Sequence, residues 1–388
     1  MKLNGTIPTK EQYMIEVEKG NVNLIRHPEN SDVILLNYTP ELVYSRQWNG
    51  INIQCRGLIL NEKTGEVLAR PFPKFFNYGE NPAFDAMIPR TKITNNGYIA
   101  GVKIAPKPEI TIKQDGSLGI MYRLDGKIRW ATRGSFTSPQ SQIAQQIWDD
   151  KYSRSNSLFL RSGTYIALTL MCEIIHPETK VVVPYDFTDL VLIGATNRFT
   201  GFDFGYSTLS ALGSSFNLPV TKKVEGTIEE IVAKAKTLHY SEEGFVLRWV
   251  LDDGAVLRLK VKGDEYMKVH RIAYGLSKKR IVQSWVEGKL NDLITAVPEE
   301  FRAEIEELQD LLCSVSAKFE CAAGYIWTYS LSEECQSRKD YAKFVMEQTQ
   351  NEDGKYVRGL AFLMYDNKET ELEIRKTAAK WYFDTRKN

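Results

Sequence analysis

Cysteine, histidine and long apolar runs are all scarce in this chain, and each scarcity removes a class of protein. Its five cysteines (Cys55, Cys172, Cys313, Cys321 and Cys335) are an odd number, are scattered along 388 residues, and include no C-x-x-C pair. That pattern argues against a disulfide framework and against a zinc site. The four histidines, His27, His176, His239 and His270, are equally dispersed, and His176 and His270 read as structural or surface residues. No run of about 18 apolar residues occurs, and the opening Met1-Lys2-Leu3-Asn4-Gly5 has no apolar leader segment. A cytoplasmic chain with no membrane anchor is expected. Net charge is only +1, so a phosphate-bearing partner has to be met by a local basic groove. Internal repeats, low-complexity tracts and long Pro/Gly linkers are also missing, which makes a packed junction the expected domain boundary.

What is present suffices for two domains, each with its own core, because 43% of the residues are hydrophobic and 26% charged. From about Val33 to Lys262, short β-like runs alternate with Gly, Pro, Asn and Asp. The clearest strands are predicted at 128–133, 165–172, 190–193 and 244–249, with helical segments at 141–148 and 228–236. The expected class is α+β with mainly antiparallel sheets. Beyond about Glu265 the texture changes. Phe301, Ile305, Leu308, Leu312, Val315 and Phe319 recur at helical spacing, and 340–348 and 369–383 behave alike. The expected domains are 1–270, α+β, and 271–388, all-α, with the junction near residues 270–280.

The most informative residues are Lys113-Gln114-Asp115-Gly116-Ser117. Both Glu109-Ile110-Thr111-Ile112 and Leu118-Gly119-Ile120-Met121-Tyr122 read as strands, so Lys113 ends a strand just before a tight polar turn. A lysine so placed is either a nucleophile facing a cleft or an exposed hairpin side chain. Downstream, Val256-Leu257-Arg258-Leu259-Lys260-Val261-Lys262 alternates strictly, setting Arg258, Lys260 and Lys262 on one strand face. Such a face attracts polyphosphate or is the solvated side of an edge strand. Glu242-Glu243-Gly244 enters another strand, where a carboxylate either holds a metal ion or merely decorates a turn. Glu173 interrupts the apolar stretch from Leu170 to Ile175, where an acid requires a partner. A nucleotide hydroxyl, a metal ion or a structural Arg or Lys would each serve. Finally, Arg70-Pro71-Phe72-Pro73-Lys74-Phe75-Phe76-Asn77 concentrates cations and aromatics, with Phe75 or Phe76 available to stack on a base or to fill the core.

In this order and spacing, the segments resemble the covalent nucleotidyltransferases, and within them the RNA ligases of the T4-phage RNA ligase 1 type. Lys113 to Ser117 looks like the KxDGS nucleophile motif, Glu173 like the motif III acid, Glu243-Gly244-Phe245-Val246 like EGxV, and Lys260-Val261-Lys262 like KxK. Arg56-Gly57 and Lys74 to Asn77 are similar to the RG and KFFN elements of that branch, and Arg133 falls where the family places a basic residue. The resemblance covers residues 50 to 265. No oligonucleotide-binding domain with an RxDK-like motif is readable after Lys262, which counts against DNA ligases and capping enzymes.

The resemblance implies an adenylyltransferase (nucleotidyltransferase) domain over 1–270 and a helical RNA-specificity domain over 271–388. It implies an ATP-dependent RNA ligase acting in RNA or tRNA repair, with ATP as co-substrate and Mg²⁺ or Mn²⁺ as cofactor. Lys113 is then the nucleophile, helped by Lys260 and Lys262, which disfavour a third charge beside them and stabilise the α-phosphate. Arg56 and Lys74 would orient pyrophosphate, and Asp115 and Gly116 shape the turn at the nucleotide. Glu243 and Glu173 would hold metal, Glu173 also the ribose. Arg133 and Phe75 would position phosphate or RNA. The expected partner is RNA with 5′-phosphate and 3′-hydroxyl ends, such as cleaved tRNA, met by a monomer. Two alternatives stand beside this: an enzyme requiring a 2′-phosphate at the junction, and a catalytically silent RNA- or nucleotide-binding protein.

Overall fold

The computed structural model describes residues 7–90, 92–95, 100–103, 106–161, 163, 165–179, 181–297 and 301–386. The opening Met1-Gly5 stretch, read above for a leader, lies outside them. The chain forms two compact units, Met1–Ala273 and Tyr274–Asn388.

The first unit begins with helix α1 (Lys10–Glu18), started by a capping box in which Thr9 and Gln12 exchange side-chain and backbone hydrogen bonds. A four-stranded antiparallel sheet follows, ordered β1 (Val22–Arg26), β2 (Val33–Tyr38), β3 (Arg56–Asn61) and β4 (Val67–Ala69), with α2 (Pro40–Ser45) between β2 and β3. Next come β5 (Phe76–Asn77), α3 (Pro82–Asp85) and the hairpin β6 (Lys92–Asn95) with β7 (Ala100–Lys103). Strands β8 (Glu109–Lys113), β9 (Ser117–Leu124) and β10 (Lys127–Ala131) lead to α4 (Pro139–Ile147) and α5 (Asn156–Arg161). Then β11 (Leu168–Ile175), β12 (Asp189–Asn197), α6 (Tyr206–Phe216), β13 (Lys223–Val224), α7 (Ile228–Ala235), β14 (Gly244–Val250), β15 (Val256–Lys262) and α8 (Asp264–Ala273) complete the unit.

Two sheets matter for function. One has the order β10-β9-β11-β12, the other β13-β8-β14-β15-β5, and among their ladders only β15 with β5 is parallel. The α+β class with mainly antiparallel sheets is therefore observed. Strand alternation explains the second sheet: Ile110, Phe245, Leu247, Trp249, Leu257, Leu259 and Val261 enter one core with Phe76 and Phe84, leaving the polar set on the other face. The first sheet packs Trp130, Leu170, Cys172, Ile174 and Leu192 against Trp148, Phe159 and Phe216.

Two sequence expectations shift. Strands β8 and β9 do not pair as a hairpin; they belong to different sheets, and the turn after Lys113 passes from one to the other. The strand expected at 165–172 runs from Leu168 to Ile175. Its first residues are diverted because the Arg123 guanidinium binds the carbonyls of Phe159, Tyr165 and Ile166, and Arg198 also donates to Ile166.

The second unit is helical: α9 (Lys278–Val286), α10 (Leu290–Ala296), α11 (Arg302–Thr328), α12 (Arg338–Gln348), α13 (Gly354–Tyr365) and α14 (Glu371–Thr385). The 27-residue α11 buries Ile305, Leu308, Leu312, Val315, Phe319, Ala323 and Ile326 at three- and four-residue intervals, the stripe its periodicity demands. Phe319 stacks on Tyr356 at 5.5 Å. All five cysteines are free thiols. Among the described residues no helix is long and apolar enough to cross a membrane.

Candidate active site

A cavity of about 540 Å³ opens between the two large sheets. Its floor follows from register. Lys113, Gly244 and Lys262 form one row across β8, β14 and β15; Thr111, Val246 and Lys260 form the next; Glu109, Arg248 and Arg258 the third. Apart from Gly244, all of these line the cavity, as do Ser117, Leu118, Glu173, Ile193 and Gly194 from the other sheet. The basic face of β15 is thus a cavity wall and not a solvated outer edge.

Lys113 Nζ donates to Glu243 Oε2 at 2.6 Å, and Lys262 Nζ lies 3.1 Å from Glu243 Oε1. Burial pushes the Glu243 pKa upward, but the two lysines outweigh it and hold the carboxyl below its usual range. Glu173 is equally enclosed and differently treated. Burial pushes it up to about 7, with Lys113 and Arg56 opposing that rise and Glu243 and Asp115 reinforcing it. Two carboxylates facing one lysine are therefore driven in opposite directions.

Backbone approach explains the glycines. A Cβ on Gly116 would stand 2.5 Å from the Ile174 carbonyl, and one on Gly244, where φ is +143°, would stand 2.1 Å from that of Val261. The turn after Lys113 is pressed against β11 by the Gly116 contact.

Asp115 departs from its expected place at a nucleotide. It does not line the cavity; Oδ2 accepts from the amides of Val182 and Val183 at 2.8 and 2.7 Å, and Oδ1 accepts from the Tyr266 hydroxyl at 2.8 Å. Its work is to fasten the turn to a loop and to α8. Lys74 departs too. It is buried with Nζ 4.2 Å from the Phe76 ring centroid and 3.9 Å from a Glu80 oxygen, away from the cavity lining. The β5–β15 pairing turns neighbouring side chains to opposite sides, so Phe75 faces the cavity while Lys74 and Phe76 face inward.

Arg56 and Arg133 reach the cavity. Arg56 and Lys260 flank the Phe75 ring at 5.6 and 5.4 Å, and Arg133 donates to the Tyr38 hydroxyl at 3.0 Å. His176 and His270 stand apart: His176 Nδ1 accepts from the Glu178 amide, and His270 is buried beside Tyr266.

Of the third row, sequence reasoning singled out Arg258 and missed Glu109, Arg248 and the Asp203 that joins them. Arg248 bridges Asp203 and Glu109 at 3.0 and 2.7 Å, and Arg258 binds the same Asp203 carboxylate. Glu109 and Thr111 precede Lys113 by four and two residues, so period-two reading would have set them on its face. Asp203 lies in a loop and carries no such signal.

Among the described residues, no group of three or more His, Cys, Asp or Glu side chains is arranged to hold a metal ion. Glu173 lines the cavity beside the turn, whereas Glu243 is outside that lining with a lysine on each oxygen and offers Oε2 only once Lys113 lets go. A hard divalent cation accepts that donor set when phosphate oxygens and water complete its shell, so these residues fit a cation that arrives with a phosphorylated ligand.

Comparison with known proteins gives this arrangement a context. An RNA ligase of Rhodothermus phage RM378 is 20% identical over 337 residues, covering 76% of each chain. A provisionally assigned RNA ligase of Thermovibrio ammonificans is 25% identical over 303 residues, covering 73% of each. A solved archaeal ATP-dependent RNA ligase superposes with a TM-score of 0.43 at 14% identity, covering 87% of this chain and 85% of that one. The T4-type RNA ligase family model matches residues 54–266, which spans the whole cavity floor and the turn, and the chain belongs to that RNA ligase family.

Proposed function

We propose that this protein is an ATP-dependent RNA ligase that adenylylates Lys113 and then joins an RNA 5′-phosphate to a 3′-hydroxyl. The carrying observation is that Lys113 ends β8 inside a cavity whose wall adds Lys260 and Lys262, with Glu243 shared between Lys113 and Lys262. In the first step Nζ of Lys113 bonds to the α-phosphorus of ATP while the bond to the bridging oxygen breaks and pyrophosphate leaves. The amine has to surrender a proton and its hold on Glu243 beforehand. Lys262, on the other Glu243 oxygen, gives that carboxylate a cation to remain with. Lys260 and Lys262 face the charge developing on the α-phosphate, and Arg56 receives the leaving phosphates.

Glu173 holds the ribose or, together with Glu243, a divalent cation, Mg²⁺ or Mn²⁺, which would neutralise phosphate charge when bound. Arg133 and Phe75 orient phosphate or the RNA end. AMP then passes to the RNA 5′-phosphate, and the 3′-hydroxyl displaces it. The helical unit would select the RNA, with cleaved tRNA the first candidate, and the enzyme would act in the cytoplasm as a monomer. From Ala273 onward there are 17 Lys and Arg against 20 Asp and Glu, which favours recognition of RNA shape over a broad basic groove.

The test is protein labelling with α-labelled ATP and Mg²⁺. An acid-labile adduct on the wild type, absent from Lys113→Ala and absent with γ-labelled ATP, is the expected result. A folded protein free of prior AMP, as checked by intact mass, that takes no label would overturn the assignment. Equal ligation of 2′-hydroxyl and 2′-phosphate junctions, or a preference for the former, is expected; ligation of 2′-phosphate junctions alone would favour the alternative enzyme.

A further inference from the structure

The cavity has two chemically different ends. Lys113, Lys260, Lys262 and Arg56 gather near the turn, whereas the row of Glu109, Arg248 and Arg258 closes the far end of the same sheet face. Both guanidinium groups of that row are already engaged by carboxylates, Arg248 with Glu109 and Asp203, Arg258 with Asp203. Phosphates are therefore drawn to the turn and find no surplus positive charge at the far row. A nucleotide entering phosphates-first to Lys113 carries its base toward Glu109. Glu109 lies four residues before Lys113 on the same strand face, roughly 13 Å along the strand, which suits an α-phosphate at one end and a base edge at the other.

What the far wall presents is decided by exposure. The side chains of Arg248, Arg258 and Asp203 are 11%, 9% and 8% exposed, but that of Glu109 is 35% exposed. Its Oε2 accepts from Arg248 at 2.7 Å, and the Tyr206 amide at the start of α6 is shared between Oε1 and Oε2 at 3.2 and 3.3 Å. A carboxylate has about four acceptor sites, so one remains for a ligand. The group is also held in place: a Cβ on Gly205 would lie 3.0 Å from Glu109 Oε1, so α6 approaches this closely because residue 205 has no side chain.

We propose that Glu109 is a specificity-determining residue for the nucleobase, accepting a hydrogen bond from the 6-amino group of adenine and rejecting 6-oxopurine nucleotides, whose oxygen would meet its lone pairs. This rests on the ATP-dependent ligase assignment. The far row supplies an acceptor because its donors are turned inward onto Asp203 and Glu109.

The experiment measures the rate of covalent protein labelling by α-labelled ATP, ITP and purine riboside triphosphate, which lacks a 6-substituent, on wild type, Glu109→Gln and Glu225→Gln, the last a solvent-exposed carboxylate outside the cavity lining. On the wild type the expected order is ATP, then purine riboside triphosphate about tenfold slower, then ITP about 100-fold or more slower than ATP. Glu109→Gln should shrink the ATP/ITP ratio by about tenfold or more, because its amide can turn an N–H toward a 6-oxo group. Glu225→Gln should leave the ratio near that of the wild type. A wild-type ratio near one, an unchanged ratio in Glu109→Gln, or an equal collapse of the ratio in Glu225→Gln overturns the proposal. Should Glu109→Gln fail to fold by circular dichroism, Glu109→Asp replaces it: the shortened acceptor should cut the ATP rate while ITP labelling stays low, and an unaltered ATP rate counts against the proposal. No labelling of the wild type by any nucleotide instead defeats the ligase assignment, and this proposal with it.

Discussion

Glu243 and Glu173 show how a single side chain's surroundings set its task. Glu243 has two lysines on its two oxygens, whereas Glu173 is lifted to about 7 from an ordinary 4.5, chiefly by burial. Because the native pKa exceeds the unfolded one, the folded state binds the extra proton between those values. Stability from Glu173 is therefore full below about pH 4.5 and is lost as pH rises through about 7. Glu173→Gln stays neutral and escapes that loss. Urea unfolding should show the variant gaining on the wild type by roughly 1–3 kcal/mol between pH 5 and pH 8, while its labelling by ATP falls. A difference that stays flat with pH would mean that Glu173 is ionised in the native protein throughout. Lys262→Ala removes one cation from a buried carboxylate and leaves Glu243 dependent on Lys113; labelling should slow by about 100-fold or more, with Lys262→Arg recovering part of the rate.

At the scale of elements, the turn after Lys113 owes its position to strand β11 behind it. Gly116→Ala brings a methyl group to 2.5 Å from the Ile174 carbonyl and 3.1 Å from Glu173 Cγ. Strand β11 is held on both sides, by β9 and β12, so the turn has to yield. The expected loss is about 1–3 kcal/mol of stability, together with labelling at least tenfold slower. Gly324, inside α11, provides the contrast, because a methyl group there would meet nothing within 4 Å. Gly324→Ala should raise stability by about 0.5–1 kcal/mol in thermal unfolding and leave labelling unchanged. Glu243 precedes β14 and was found through its EGxV likeness, whereas Lys113, Lys260 and Lys262 were legible because alternation assigns a face to each residue of β8 and β15. Lys74 and Asp115 were not. Lys74 precedes a strand of only two residues whose orientation is fixed by its parallel partner β15, and Asp115 sits in a turn whose partners, Val182, Val183 and Tyr266, are remote in sequence. Asp203 was hidden for the same reason, since a loop has no period from which to read a face.

Over the whole molecule, the compact units divide at Ala273 and Tyr274, downstream of the KxK strand by the length of α8. That helix belongs chemically to the turn. Tyr266 donates to Asp115 and is buried with Val182 and Val183, and Lys262 Nζ lies 5.5 Å from its ring centroid. Ending the chain after Lys262 would keep every motif residue yet strip one partner from the buried Asp115 carboxylate and open that small core. Ending it after Ala273 keeps both. The shorter fragment should therefore lose self-adenylylation and unfold at lower urea, while the longer one should still take label from α-labelled ATP and lose its preference for cleaved tRNA over generic RNA ends, the selection assigned to the helical unit. Comparing the two fragments by labelling and by ligation separates the roles, because label retained by the fragment ending at Lys262 would show that α8 is dispensable to the turn.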